Sequence, residues 1–165
     1  MDQGNLGSTF FLKLVLAAIA VAALIVSIFA LPSIAAKDIA RHPQLAWQFY
    51  PFLAYAYTLS IVFLFALFQG YKLLTYVDQN KVFSEASLKA LKYIKRCAYA
   101  VTGLIVPGVL LVMGLSWNKG EDITGIVMMG IIITLTSGVV AAVVGVAQHH
   151  VQKAVAIKSE NDLTV

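Results

Sequence analysis

Histidine, cysteine and carboxylate are the side chains in this chain that could carry chemistry. His149 and His150 are adjacent, and imidazoles are common ligands of transition metals and haem iron. Neighbours on a helix point about 100° apart, however, and two histidines that share a metal from one helix need i,i+4 spacing. Cys97 follows Lys95 and Arg96. Cations favour the thiolate, so Cys97 could be a thiol sensor or an acylation site; a lone cysteine at a helix end is more simply a small apolar filler. Being the single cysteine, it excludes an intramolecular disulfide. The carboxylates are Asp2, Asp38, Asp78, Glu85, Glu121, Asp122, Glu160 and Asp162. Each lies near an end or in a polar stretch, whereas a proton relay or general acid needs one in an apolar setting. There is no glycine-rich phosphate loop and no Ser-His-Asp pattern. The residues predict no enzyme, no catalytic residue, no cofactor and no metal.

The elements that hold these residues are written in the charge pattern. The chain has 165 residues, 60% hydrophobic and 12% charged, where a soluble protein carries roughly 25% charged. A soluble domain this small could not hide so much apolar surface. Residues 14–36, 43–71, 97–118 and 123–148 contain no Lys, Arg, Asp or Glu, and, after position 42, no His until 149. Each run exceeds the roughly 20 residues a helix needs to cross a hydrocarbon core. In lipid every backbone N–H and C=O must be satisfied within the segment, and the runs are continuous rather than alternating, so they are helices and not barrel strands. The expected fold is all-α: one domain over residues 1–165, four transmembrane helices in an antiparallel bundle, with approximate spans 10–33, 46–71, 97–117 and 123–148. A secretory leader also opens with a cation and an apolar stretch, and Ser33-Ile34-Ala35 fits its cleavage pattern. The apolar stretch here is longer than the typical 7–15 residues, so it reads as an anchor. Pro32 should end that helix or begin the loop after it. Pro51 falls in the first turn of the second span or kinks it, and Pro107-Gly108 predicts a kink in the third.

Four spans put both termini and the 72–96 loop on one side. That side holds Lys13, Lys72, Lys81, Lys89, Lys92, Lys95, Arg96, Lys153 and Lys158, against Lys37, Arg41 and Lys119 on the other. Cations collect on the cytoplasmic side, so both termini are expected in the cytoplasm and the protein in a bacterial cytoplasmic membrane. Trp47, Phe49, Tyr50, Phe52 and Trp117 fall at the outer boundary. Tyr71, Tyr76, Tyr93 and Tyr99 fall at the inner one, the level that amphipathic rings prefer. His42 is then across the membrane from His149 and His150.

Within the 72–96 loop, Asp78-Gln79-Asn80 reads as a turn. Ser84 is a good N-cap, Glu85 suits the first turn, and Phe83 and Leu88 have the spacing of a hydrophobic staple. A helix is predicted from Glu85, continuing into the third span. Leu88, Leu91 and Ile94 recur at helical spacing, leaving Lys89, Lys92, Lys95 and Arg96 as a polar face that could bind an acidic partner or anionic lipid. Ordinary positive-inside charge explains the same residues without a partner. The net charge of +4 does not argue for direct nucleic-acid binding, because no helix-turn-helix fits in this loop. In the cytoplasmic tail 149–165 the fourth helix is expected to project past the membrane through His149, His150, Val151, Gln152 and Lys153, and the polar ending from Lys158 to Asp162, Leu163, Thr164 and Val165 to fray or to bind a partner.

Helices in lipid associate through small residues. The fourth span offers Ser137, Ala141 and Gly145, with Thr134, Gly138 and Ala142 as the adjacent ridge. The third offers Gly103, Gly108 and Gly114. Whether the small face of the fourth span packs inside the bundle or against a second copy stays open.

The run Asp78-Gln79-Asn80-Lys81-Val82-Phe83-Ser84-Glu85 with the basic amphipathic helix after it, and the ending Glu160-Asn161-Asp162-Leu163-Thr164-Val165, resemble bacterial membrane proteins grouped as domain of unknown function 2975. The resemblance implies four helices with both features in the cytoplasm. It carries over no catalytic or binding residue, since the family has no established activity. It also implies a partner, a small cytoplasmic helix-turn-helix regulator of the phage-repressor type, whose gene often sits beside those of the family. The leading expectation is therefore a regulatory or sensory membrane protein. The alternatives are an oligomeric transport or permeation component for a small solute, or a passive membrane scaffold. A cytoplasm-active reporter fused after Val165 should be active and a periplasm-active one silent; the reverse result would overturn the orientation.

Overall fold

The computed structural model describes residues 3–41, 43, 46–116 and 123–162. Helix α1 covers Gln3–Ile25, a π-helical turn covers Val26–Ala30, and α2 covers Leu31–Arg41. Then come α3 (Ala46–Asp78), α4 (Glu85–Ser116) and α5 (Thr124–Asp162). Among the described residues there is no strand. The helical stretches Gly7–Lys37, Tyr50–Asp78, Glu85–Gly114 and Thr124–Glu160 are each long and apolar enough to cross a membrane.

Their outer surfaces fit lipid. Phe10, Phe29, Leu135 and Val139 are each more than 60% exposed, as are many other large apolar residues, an arrangement water would not tolerate. The buried residues are mostly small or polar: Ala90, Cys97, Ala98 and Ala141, with Ser27, Gln69 and Ser87. Packing between lipid-embedded helices depends on close approach of small side chains, because lipid already solvates the large ones.

The bundle is open. Helix α4 packs most extensively on α5 and next on α3, while α1 packs on α3. Among the described residues α1 and α5, at the flanks, share no extensive face. At one end lie the start of α1, the residues joining α3 to α4, and the end of α5; this is called the connector end below.

Proline 32 does not end the first helix. It is the second residue of α2, and the axis continues through the π-turn to Arg41. The missing proline N–H orphans one carbonyl, and an abrupt helix end would orphan more in a medium without water. The widened turn is the cheaper solution. Leu31 N–H donates to the Val26 carbonyl, five residues back. Ser27 Oγ donates to Ala23 O at 2.8 Å and Ser33 Oγ to Phe29 O at 2.6 Å. Other hydroxyls are also turned onto their own helices: Thr58 to Ala54 O at 2.9 Å, Ser60 to Ala56 O at 3.0 Å, Thr136 to Ile132 O at 2.8 Å.

Two glycines set how near α4 comes to its neighbours. Pro107 lies inside α4 and cannot donate to the Gly103 carbonyl. One residue on, the Tyr55 hydroxyl of α3 donates to the Leu104 carbonyl. A Cβ at Gly108 would run into that hydroxyl and lie 2.9 Å from Tyr55 Cζ. A Cβ at Gly130 of α5 would run into Val109 Cγ2 of α4. Gly103, expected at a packing face, is exposed with nothing within 4 Å of where its Cβ would stand, and so is Gly138. The reason is phase: Gly108 meets α3, while Gly103 sits on a side of α4 that no helix among the described residues covers.

Substituting alanine at Gly108 or Gly130 should cost on the order of 1–3 kcal/mol through overpacking. The same change at Gly103 or Gly138 should be neutral or stabilise by up to about 1 kcal/mol through helix propensity. Tyr55→Phe should cost about 0.6 kcal/mol, an average interhelical hydrogen bond in lipid. Unfolding of purified protein in mixed detergent micelles measures all five variants. Equal losses at Gly103 and Gly108 would contradict the packing described.

Candidate functional site

The connector end gathers most of the residues that could recognise anything. Its scaffold is the six-residue link 79–84. Helix α3 closes with the double hydrogen bond of a Schellman cap: Lys81 N–H to Tyr76 O at 2.8 Å and Asn80 N–H to Val77 O at 3.0 Å. That cap needs a left-handed residue between them, and Asn80 supplies it with φ 54°. Asparagine tolerates this conformation better than most residues.

Helix α4 opens at once with its own cap. Ser84 Oγ accepts the Ser87 N–H at 3.3 Å, and Ser87 Oγ donates to the Lys81 carbonyl at 2.8 Å. Ser87 is 0% exposed, so it ties the start of α4 to the end of the α3 cap without help from water. Glu85 stands in the first turn, where a carboxylate complements the helix dipole. Phe83, expected to staple against Leu88, remains 58% exposed.

From this start α4 buries one face and displays another. Ala90 and Leu91 are buried, with Leu88 and Ile94 partly so. Lys89, Lys92 and Arg96 are exposed, at i, i+3 and i+7 of one face. Lys95 does not join them. It is partly buried, and its Nζ and Cε lie 3.4 and 3.6 Å from where a Cβ of Gly145 would stand on α5. Its ammonium is also 6.0 Å from the Tyr99 ring centroid. Gly145 thus leaves room for a lysine stem crossing α5. Ala141, one turn back, is 4% exposed, and Ser137 is partly buried. Tyr93 is exposed beside the stripe and meets Phe65 of α3 edge-on, centroids 6.0 Å apart.

Helix α5 projects past His149–Lys153 as expected and goes further, running unbroken to Asp162, so residues 158–162 are helical rather than frayed; it has 39 residues in all, about 58 Å at 1.5 Å per residue. A helix already nucleated in the membrane extends without a second nucleation cost. Val151 is buried, while Lys153 and Lys158 are exposed on the extension. The side chain of Asp162, and Leu163, Thr164 and Val165 entirely, lie outside the described residues. So do His42 and Trp117, and the side chain of Phe49.

His149 and His150 are both exposed, their ring centroids 6.3 Å apart at 61°. Among the described residues no cluster of three His, Cys, Asp or Glu could hold a metal. Cys97 is buried.

Two features escaped the reading of the residues alone. Lys13 of α1 forms an ion pair with Asp78, the last residue of α3. An antiparallel arrangement brings these positions to one end, but 65 residues separate them and no local spacing links them. Gln148 keeps its Oε1 buried without a partner among the described residues.

A curated relative, the uncharacterized membrane protein YoaS of Bacillus subtilis (strain 168), is 38% identical over 161 residues, covering 98% of this chain and 99% of its own length. No solved structure matches the chain. The family model described as protein of unknown function (DUF2975) matches residues 33–165, and that range takes in the connector, the basic stripe and the whole α5 extension, so this four-span membrane protein belongs to that family.

Proposed function

We propose that the protein is a non-enzymatic regulatory or sensory component of the bacterial cytoplasmic membrane. Its connector end faces the cytoplasm and holds a small helix-turn-helix regulator there. The observation that carries this reading is the exposed row Lys89, Lys92 and Arg96 on a helix fixed by the Ser84–Ser87–Lys81 hydrogen bonds. Cations on a rigid helix lose little backbone freedom on binding, so more of their attraction survives as affinity. They also steer an acidic surface to one place.

The orientation is supported by the excess of cations on the connector side. Lys153 and Lys158 on the neighbouring α5 extension enlarge the same electropositive end. A helix-turn-helix protein presents its basic surface to DNA. Its acidic side is then the side that suits this row, and tethering at the membrane would regulate it by changing how much of it is free.

The test is co-purification from detergent of full-length tagged chain with the helix-turn-helix regulator encoded beside its gene. The charge-reversal variant Lys89→Glu, Lys92→Glu, Arg96→Glu should retain roughly tenfold less regulator, since close charge pairs across an interface are worth a kcal/mol or more. Six connector-side cations remain in that variant against three opposite, so its orientation is kept. Removing residues 159–165 tests the tail in the same way. Retention unchanged by both alterations together would refute the proposal.

A further inference from the structure

We propose a binding site for an anionic glycerophospholipid in the groove between α1 and α3. Its phosphate sits at Lys13 and Lys72, and an acyl chain lies along the groove. This goes beyond partner recognition and does not depend on it, since it concerns a different pair of helices and holds for either orientation.

The groove follows from side-chain size and spacing. On α1, Lys13, Leu16, Ala17 and Ala20 fall at i, i+3, i+4 and i+7 and so share one face. Leu64, Phe68 and Tyr71 form the facing wall on α3. The helices meet closely at Gly70, where a Cβ would stand 3.6 Å from Leu16 Cδ1. Beside that contact, Ala17 and Ala20 are too short to fill the space, which leaves an open slot of about 170 Å³. Because α1 packs chiefly on α3, no further helix among the described residues closes the slot, and its open side faces hydrocarbon.

The chemistry changes at one end of the slot. Lys13 Nζ stands 5.5 Å from the Tyr71 ring centroid and Lys72 Nζ stands 4.6 Å from that of Phe68. Both cations are therefore held over rings that form the groove wall. Asp78 is ion-paired with Lys13; among the described residues Lys72 has a ring and no carboxylate partner. The mouth thus carries two positive charges against one negative, directly above an apolar slot.

That order, cations at the boundary and hydrocarbon beneath, matches an anionic amphiphile rather than a soluble anion, which would use the mouth alone. Basic pockets between transmembrane helices are where acidic lipid headgroups bind. A zwitterionic lipid brings its own ammonium and gains less there. The lipid phosphate would compete with Asp78 for Lys13, so occupancy of the slot loosens the bond between the first helix and the end of α3.

Native mass spectrometry of the full-length protein, released from micelles containing dioleoylphosphatidylglycerol or dioleoylphosphatidylcholine, tests this. The wild type should retain the glycerol lipid in preference to the choline lipid. Lys13→Gln together with Lys72→Gln should cut that preference about fivefold per cation, the equivalent of about 1 kcal/mol each. Ala17→Phe should lower retention of phosphatidylglycerol by filling the slot, with both cations in place. Asp78→Asn, which frees Lys13, should raise phosphatidylglycerol retention; because it gains rather than loses binding, misfolding cannot mimic it. Lys37→Gln, an exposed cation at the far end of the first helical stretch, should leave retention as in the wild type. Equal retention of the two lipids by the wild type would overturn the proposal. So would an unchanged preference in the Lys13/Lys72 variant, or a loss in Asp78→Asn.

Discussion

A hydrocarbon medium gives the backbone no alternative hydrogen-bond partner, and everything else in this molecule follows from that. In water a helix can stop wherever a proline intrudes, because solvent takes up the freed carbonyls. Here the chain sets a widened turn just before Pro32 and carries on to Arg41. Ser27, Ser33, Thr58, Ser60 and Thr136 each return a hydroxyl proton to a carbonyl four residues back, which lets these polar side chains sit in the spans at little cost. Pro107 is handled from outside its own helix, with Tyr55 donating to the adjacent carbonyl of α4.

The same medium removes the hydrophobic drive between helices, so association rests on contact. Close approach needs absent side chains, and the structure has them where α4 meets its neighbours: Gly108 under Tyr55, Gly130 under Val109, Gly145 under Lys95. Helix α4 is consequently the organising helix, flanked by α3 and α5. Helix α1 has Gly70 opposite Leu16 and an ion pair with Asp78, but it packs on α3 far less extensively than α5 packs on α4. A helix held this way leaves an open slot beside it, and the slot exists because Ala17 and Ala20 face it.

What could be read in advance divides along the range of the interactions. The spans were legible because charge is simply missing from them. The start of α4 at Glu85 was legible because Ser84 and Glu85 are local signals, and Asn80 announced a turn for the same reason, although the double-bonded cap was not foreseen. Features that depend on which helix lies opposite were not legible. Lys95 looks like Lys92 in sequence, yet Gly145 of α5 draws it away from the exposed row. Gly103 and Gly108 look alike, yet only one faces Tyr55. The two expectations the structure overturns, a helix end at Pro32 and a frayed segment at 158–162, came from rules for helices that stand alone in water. A helix that continues from the membrane has already met its nucleation cost, and a proline inside lipid is cheaper to accommodate than to obey.

The connector is where local and long-range order meet. Six residues reverse the chain between two long helices, and the turn is held by its own polar groups: Asn80 in the left-handed region, Ser84 on the Ser87 amide, Ser87 on the Lys81 carbonyl. None of these bonds needs the membrane or a ligand. The cations of α4 are therefore displayed at a fixed phase and height whatever α1 does on the far side of α3. A disturbance at Lys13 and Asp78, by contrast, reaches the final residue of α3, immediately before that turn. The molecule thus pairs a weakly held helix, exposed to lipid, with a strongly held surface exposed to water, and Asp78 adjoins both. Under the function proposed above, that adjacency is what would couple the state of the bilayer to the regulator.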